Sequence, residues 1–194
     1  MLDASRRAAW IGRVFQNPLD GTAGNLSIEQ NLALALLRGK PKGLRRGVSG
    51  ERRQLFQAAL APLGLGLETR MSTPVRLLSG GQRQALALLM ATLVPPQLLL
   101  LDEHTAALDP GAAGLVANLT ARLVSGQGLT ALMITHNMQQ ALNLGTRTLM
   151  LHQGQIILDI SGAERAGLTV QDLVRRFTAA RESAIADDEL LLSE

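Results

Sequence analysis

Short apolar runs alternate with amphipathic segments along most of the chain, and polar residues follow several of these runs. Apolar positions spaced three and four apart predict helices over residues 27–37, 51–63, 80–94, 114–124, 138–144 and 170–181. The remaining runs predict strands over residues 10–16, 98–101 and 129–135, and a hairpin over 146–160 that turns at His152 to Gly154. This alternation predicts an α/β fold with a mostly parallel sheet and helices on its faces.

Two local patterns refine these elements. Ser27 precedes a helical segment and Gln30 follows three residues later, which is the capping-box pattern of a helix start. The leucine run at 98–101 lies between two prolines and two acids, so we interpret it as a strand buried on both faces. The run at 129–135 is expected to be a second buried strand.

The composition narrows the possible classes of protein. The chain of 194 residues suits one domain, and the absence of cysteine excludes a disulfide scaffold and any Cys-ligated metal site. With one Trp, three Phe and no Tyr, the chain lacks the stacking rings of a single-stranded nucleic-acid platform. The N-terminus has no continuous apolar core, so we expect no signal peptide, and prolines at 95 and 96 interrupt the longest apolar stretch.

The net charge of +3 hides an asymmetry, because residues 1–100 carry a net charge of +8 and residues 101–194 carry −5. The basic excess is concentrated in Arg38, Lys40, Lys42, Arg45, Arg46, Arg52 and Arg53. These residues suit either a patch for phosphates, nucleic acid or anionic lipid, or a solvated loop and helix face. Phe56 is the single aromatic residue nearby, which favours the solvated surface.

Three features could carry chemistry. Asp102 and Glu103 end an apolar run, so one carboxylate could bind Mg²⁺ while the other orients water; solvated acids are the simpler alternative. The two glycines after Ser79 could let a helix start approach an anion, although an ordinary Ser cap explains the same residues. His136 follows a strand and could contact a phosphate, although a lone His is more often structural, and His104 and His152 receive no catalytic role.

The order of these features decides between the alternatives. Along the chain stand Gln16, LSGGQ at 78–82, LLLLDE at 98–103, LDP at 108–110 and His136. Over about residues 10–160 the chain closely resembles the nucleotide-binding subunit of ATP-binding-cassette (ABC) transporters, where these are the Q-loop, signature motif, Walker B strand, D-loop and H-loop. The DEHTAALDP segment resembles a bacterial importer-type subgroup in which His104 replaces the usual proline.

The resemblance implies a P-loop NTPase-like ABC ATPase fold, with an inserted helical subdomain, in one partial domain. The expected parts are a core strand and Q-loop at 1–25, the helical subdomain with the signature motif at 26–93, a catalytic core at 94–165, and a C-terminal helix and acidic tail at 166–194. The implied function is an ATP-binding subunit that couples ATP hydrolysis to small-solute transport across the membrane.

The resemblance also implies residue roles. At the catalytic centre Asp102 would hold Mg²⁺, Glu103 would act as general base, His136 would contact the γ-phosphate, and Gln16 would sense Mg²⁺ and couple to the permease. The γ-phosphate of ATP held by the other copy would be bound by Ser79, Gly80, Gly81 and Gln82. Asp109 would connect the two sites across the dimer. The implied cofactors are ATP and Mg²⁺. The implied partners are a homodimer mate or second ABC subunit, a transmembrane permease and a substrate-binding protein, without nucleic acid, on the cytoplasmic inner face of the plasma membrane.

One family motif is missing. The phosphate-binding loop G-x-x-x-x-G-K-[ST] (Walker A) does not occur in these residues, and only 15 residues precede Gln16. We therefore expect the chain to begin inside the domain, to lack the adenine-stacking aromatic residue, to leave apolar faces bare and to be inactive alone. The alternatives are a non-catalytic regulatory fragment that pairs with a complete ABC subunit and a non-transport ABC ATPase, whose usual tandem cassettes or coiled-coil insertion are not found here.

Overall fold

The computed structural model describes residues 3–40 and 47–179 of the chain. Its helices are α1 (Ala4–Ala8), α2 (Ile28–Ala35), α3 (Gly50–Leu60), α4 (Gly80–Thr92), α5 (Pro110–Gly126), α6 (Met138–Leu144), α7 (Gly162–Arg165) and α8, which is helical over residues 170–179. Its strands are β1 (Ile11–Val14), β2 (Leu98–Asp102), β3 (Ala131–Ile134), β4 (Arg147–His152) and β5 (Gln155–Ser161). The basic positions 42, 45 and 46 and the acidic tail lie outside the described residues.

The chain divides into two compact units, Met1–Ile134 and Thr135–Glu194. In the first unit, β1, β2 and β3 form a parallel sheet in that order, and Leu99 lies beside Gly12 on one side and Ala131 on the other. In the second unit, β4 and β5 pair antiparallel. The predicted hairpin is confirmed, and its two central residues, Gln153 and Gly154, both have positive φ, as a tight two-residue hairpin turn requires.

The hydrophobic core of the first unit lies on one face of the sheet. Leu99 and Leu101 of β2 are buried there together with Val14 of β1, because side chains alternate along a strand. The apolar helix α4 contributes residues with almost no exposed surface, among them Leu86 and Leu88. The core also includes the fully buried side chains Ile28, Leu32, Phe56, Leu60 and Leu67.

The other face of the sheet is open. Leu98 and Leu100 are only partly buried, and Leu132 and Ile134 of β3 are 52% and 56% exposed. The predictions that β2 is buried on both faces and that β3 is a buried strand are therefore wrong, because these alternate positions remain accessible while Leu99 and Leu101 pack into the core. These positions give the sheet the bare apolar face that was expected from the sequence.

Helix boundaries follow the capping residues. The capping box at α2 is confirmed, since the Gln30 amide donates to Ser27 Oγ at 3.2 Å and the Ser27 amide donates to Gln30 Oε1 at 2.8 Å. Helix α5 begins at Pro110 rather than near Gly114, because Asp109 caps it and proline suits the first helical position. Within the described ranges, none of the helices combines the length and apolar character that a membrane span requires.

The contact between β1 and α4 generates a stability prediction. A Cβ added at the buried Gly12 would lie 2.7 Å from the carbonyl oxygen of Ala91, a backbone atom that cannot easily move. Gly12→Ala is expected to lower the free energy of unfolding by about 1–3 kcal/mol, as overpacking does. The matched control is Gly114→Ala in α5, where an added Cβ would meet no neighbouring atom within 4 Å. This change should raise the free energy of unfolding by about 0.5–1 kcal/mol, because alanine favours a helix interior over glycine. Urea unfolding of both variants measures the difference, and shifts of the same sign would contradict this packing.

Candidate functional site

Two strand ends bring the predicted Q-loop and the predicted catalytic acids together. Strands β1 and β2 are parallel neighbours, so their carboxyl ends meet at one edge of the sheet. Beyond this edge, Gln16 Nε2 donates a hydrogen bond of 3.3 Å to Glu103 Oε2. The tertiary structure thus brings together Gln16, Asp102 and Glu103, which we call the carboxylate edge.

Arg13 is a site residue that the sequence analysis missed. Its Nη2 donates to Asp102 Oδ2 at 2.9 Å, and its guanidinium carbon lies 4.4 Å from the centroid of the Phe15 ring. Arg13 pairs in register with Leu100, so it shares a sheet face with Asp102, two residues further along β2. A charged residue inside an otherwise apolar predicted strand was the available signal. Both side chains are more than a third exposed, so the pair contributes orientation more than stability.

Glu103 stands on a strained turn. Its φ is 42°, a left-handed conformation that costs a residue with a side chain about 1–2 kcal/mol. Two backbone hydrogen bonds hold it there: its amide donates to the Ile134 carbonyl at 3.0 Å, and its own carbonyl accepts from the Ala106 amide at 2.9 Å. A strained backbone conformation that neighbouring hydrogen bonds maintain is typical of functional positions. Here it lies at the second of the two adjacent acids, Asp102 and Glu103.

His104 has a structural place. Its side chain is buried, and Nε2 lies 2.9 Å from Thr120 Oγ1. Because the Thr120 hydroxyl donates to the Val116 carbonyl, His104 Nε2 must carry the proton and donate to the hydroxyl. Burial lowers the pKa of His104 to about 4, so the imidazole is neutral at physiological pH. His104 therefore joins the turn after β2 to α5 through a buried hydrogen bond.

The polar side chains of the signature motif cap their own helix. The Gln82 amide donates to Ser79 Oγ at 3.3 Å, and the Ser79 amide donates to Gln82 Oε1 at 3.2 Å. Gln82 Nε2 also donates to the Leu65 carbonyl at 3.4 Å. The Ser cap considered as the simpler alternative is therefore present in this structure, while the contact of these residues with a γ-phosphate stays a prediction.

The signature glycines pack against the start of α5. A Cβ added at the buried Gly81 would lie only 2.8 Å from the Ala112 Cβ, so this position requires glycine for a contact within the chain. Gly80 is exposed, and a Cβ there would meet Leu108 at an ordinary 3.4 Å. Asp109 Oδ1 accepts from the Ala112 amide at 3.0 Å. The two signature glycines thus lie beside Leu108 and Ala112, on either side of the cap residue Asp109 in the sequence.

His136 belongs to the second unit. It is exposed and lies between Thr135 and Asn137, whose side chain caps α6 through a 3.1 Å hydrogen bond from the Gln140 amide. Its predicted contact with the γ-phosphate therefore stays a prediction.

Comparison with known proteins identifies the family. The model of a family described as ABC transporter matches residues 3–106. Over 175 residues the chain is 41% identical to a tyrosine transport ATP-binding protein of Clostridioides difficile (strain R20291), covering 90% of this chain and 69% of that protein. The chain belongs to the ABC transporter ATP-binding family. It is therefore a member of the ABC ATPases, a family whose proteins bind ATP as subunits of transporters.

Two further comparisons agree with this family. The ABC chain is 33% identical to the methionine import ATP-binding protein MetN of Streptococcus agalactiae over 180 residues, covering 90% of this chain and 48% of that protein. Its fold is similar to that of an ATP-binding cassette dimer in a post-hydrolysis state bound to ADP and Pi, with a TM-score of 0.66 and 27% identity over 82% of this chain and 68% of that chain. The chain thus spans between about half and two thirds of these relatives, and its fold is that of the P-loop ABC ATPases.

The donor set at the carboxylate edge fits the Mg²⁺ that accompanies ATP. Two adjacent carboxylates, Asp102 and Glu103, and the Gln16 amide supply the hard oxygen ligands that Mg²⁺ prefers. The described residues include no group of three or more His, Cys, Asp or Glu side chains arranged to hold a metal by themselves. The remaining ligands would be water and phosphate oxygens, as is usual where Mg²⁺ binds with a nucleotide.

The buried His104 generates a pH prediction. Its pKa is about 4 in the folded chain, against 6.5 for a solvated histidine such as that of the unfolded chain, so folding opposes protonation. Above pH 6.5 the imidazole is neutral in both states, and the free energy of unfolding has its full value. As pH falls towards 4, the unfolded chain binds the proton first, so the free energy of unfolding decreases by a contribution on the order of 3 kcal/mol. In His104→Gln, which keeps an N–H donor for Thr120, this contribution should disappear. Urea unfolding between pH 7 and 4 checks this, with the partly exposed His152→Gln as the matched control. Equal pH slopes in the wild type and His104→Gln would exclude the buried imidazole as the cause.

Proposed function

We propose that this chain is the ATP-hydrolysing part of an ABC importer for small, amino-acid-like solutes. The hydrogen bond from Gln16 Nε2 to Glu103 Oε2 carries the proposal, because it joins the predicted Q-loop to the predicted general base. The substrate class is supported by the named roles of the relatives in tyrosine transport and methionine import.

In the proposed reaction, water attacks the γ-phosphorus and gives a proton to Glu103, while the bond from the γ-phosphorus to the bridging oxygen breaks and ADP leaves. Gln16 holds the Glu103 carboxylate through its N–H. Its amide oxygen would be a further ligand of Mg²⁺. Mg²⁺, when bound, would neutralise phosphate charge, and Asp102 is the residue that we assign to hold it. His136 would contact the γ-phosphate, and the strained φ of Glu103 supports a fixed direction for the attacking water.

The proposed assembly is a pair of ABC subunits, either two copies or this chain with a second subunit. Ser79 and Gly80 are exposed at the N-terminus of α4, where the helix dipole favours an anion, and this supports their binding the γ-phosphate of ATP held by the partner. Asp109 would connect the two sites. Residues 26–93 would form the helical subdomain, and the further partners would be a permease and a substrate-binding protein at the inner face of the plasma membrane.

A second candidate function is a non-catalytic partner that presents the LSGGQ segment to a complete ABC subunit. It is favoured by one observation, since the 194 residues contain no G-x-x-x-x-G-K-[ST] phosphate-binding loop. Hydrolysis assays separate the two functions.

Glu103→Gln is the first test. The variant keeps the shape of the side chain but cannot accept the proton, so in the assay that detects ATP hydrolysis the rate should fall about 10²–10⁴-fold. The matched control is Glu51→Gln, an exposed acid in the first turn of α3, which should hydrolyse ATP at the wild-type rate. The measurement is phosphate release by the purified protein, alone and mixed with the tyrosine transport ATP-binding protein. Near-normal turnover in Glu103→Gln would refute the assignment of the base. Hydrolysis that appears only in the mixture, and that Glu103→Gln leaves unchanged, would favour the non-catalytic partner.

A further inference from the structure

Gln84 makes a long-range contact that the residue roles above do not include. It lies in α4, two residues beyond the signature motif, and it is completely buried. Its Nε2 donates a 3.0 Å hydrogen bond to the carbonyl oxygen of Phe15, which is 69 residues away in the sequence. The helix that begins with the signature motif is therefore bonded to the peptide immediately before Gln16.

Phe15 connects this bond to both carboxylates. Its ring lies 4.4 Å from the guanidinium carbon of Arg13, which pairs with Asp102 at 2.9 Å. The next residue, Gln16, donates to Glu103. The segment Phe15–Gln16 thus connects helix α4 to both acids. The Phe15 ring contacts Arg13, which pairs with Asp102, and the Gln16 side chain donates to Glu103.

The chemistry of Gln84 is costly for a core position. Burying a primary amide is unfavourable unless its polar atoms form hydrogen bonds. Gln84 Oε1 is buried and has no hydrogen-bond partner among the described residues, and the six positions that follow it in α4, Ala85 to Met90, are apolar. An aliphatic side chain would fill this space at a lower cost, so the contribution of the amide is its single bond to the Phe15 carbonyl.

We infer that Gln84 is a positioning residue, which holds the Phe15–Gln16 peptide against α4 so that the signature helix and the carboxylate edge keep a fixed relation. This inference rests on the proposed function for its catalytic consequence. Its structural content is independent of that function. If the bond is lost, the segment after β1 becomes looser, and Gln16 holds Glu103 for a smaller fraction of the time.

The decisive variant is Gln84→Met, which keeps the length of the side chain and removes both the donor and the unpartnered acceptor. The matched control is Thr92→Val in the same helix. Thr92 is also buried, but its hydroxyl bonds within the helix, to the Leu88 carbonyl at 2.9 Å. Both variants lose a buried hydrogen-bond donor, and only Gln84→Met loses a bond to the segment after β1.

The measurement is amide hydrogen exchange of the whole chain. The reporting amides are those of Leu19, Asp20 and Thr22, which form turns after Gln16, and the reference amides are those of α3. In Gln84→Met the reporting amides should exchange about fivefold faster relative to α3, the factor that one net hydrogen bond gives. In Thr92→Val this ratio should stay unchanged. An unchanged ratio in Gln84→Met, or equal acceleration in both regions, would overturn the inference.

Gln84→Glu provides a second arm if the methionine variant does not fold. A buried glutamate has a raised pKa, and its protonated form carries an O–H that can donate to the Phe15 carbonyl. After correction for intrinsic exchange, the ratio in Gln84→Glu should return to the wild-type value as pH falls. A side chain that only fills space would give a ratio that does not respond to pH in this way, and that result would also overturn the inference.

Kinetics separate this inference from the proposed function. In the assay that detects ATP hydrolysis, Gln84→Met should lower kcat about tenfold and change KM for ATP less than twofold, because it disturbs the groups that act on water. An increase of about tenfold in KM for ATP with an unchanged kcat would contradict a positioning role. If the wild type hydrolyses no ATP in either assay, the proposed function fails, and the exchange ratio still decides the role of Gln84.

Discussion

The close packing of helix α4 on the parallel sheet is the constraint on which the rest of the first unit depends. At one end of the helix, the Ala91 carbonyl approaches β1 so closely that position 12 has no room for a side chain. At the other end, Gly81 meets Ala112 at the start of α5. Between these points Gln84 bonds to the Phe15 carbonyl. The helix that carries the signature motif therefore sets the position of β1, of the segment after it and of the first turn of α5.

The carboxylate edge depends on this packing. Parallel strands end at the same edge of a sheet, so a register fixed by the core brings Gln16 within hydrogen-bond distance of Glu103. The same register places Arg13 on the face of Asp102, where the two charges pair. Exposed charges stabilise the fold very little, so this arrangement is maintained by the apolar core on the opposite face, and the polar groups contribute direction and chemistry.

Local signals predicted many elements correctly, and non-local contacts caused the errors. The capping box at Ser27, the limits of α6 and the turn at Gln153 and Gly154 follow from residues only a few positions apart. The predicted start of α5 is too late, because two glycines obscure the cap at Asp109. Arg13 and Gln84 were missed as site residues, since their partners lie 89 and 69 residues away. The prediction that β3 is a buried strand was wrong, because an apolar run does not reveal whether other elements pack on each face of a strand.

The sequence by itself determined the family, the α/β class and the identity of the chemical groups. Motifs such as LSGGQ and LLLLDE are local strings, and their order is specific enough to name a family without coordinates. Only the tertiary structure decided which groups meet: Gln16 with Glu103, Arg13 with Asp102, and Gln84 with the Phe15 carbonyl. The physical reason is that side-chain type is written residue by residue. A hydrogen bond across the fold depends on strand register and helix packing, to which the whole core contributes.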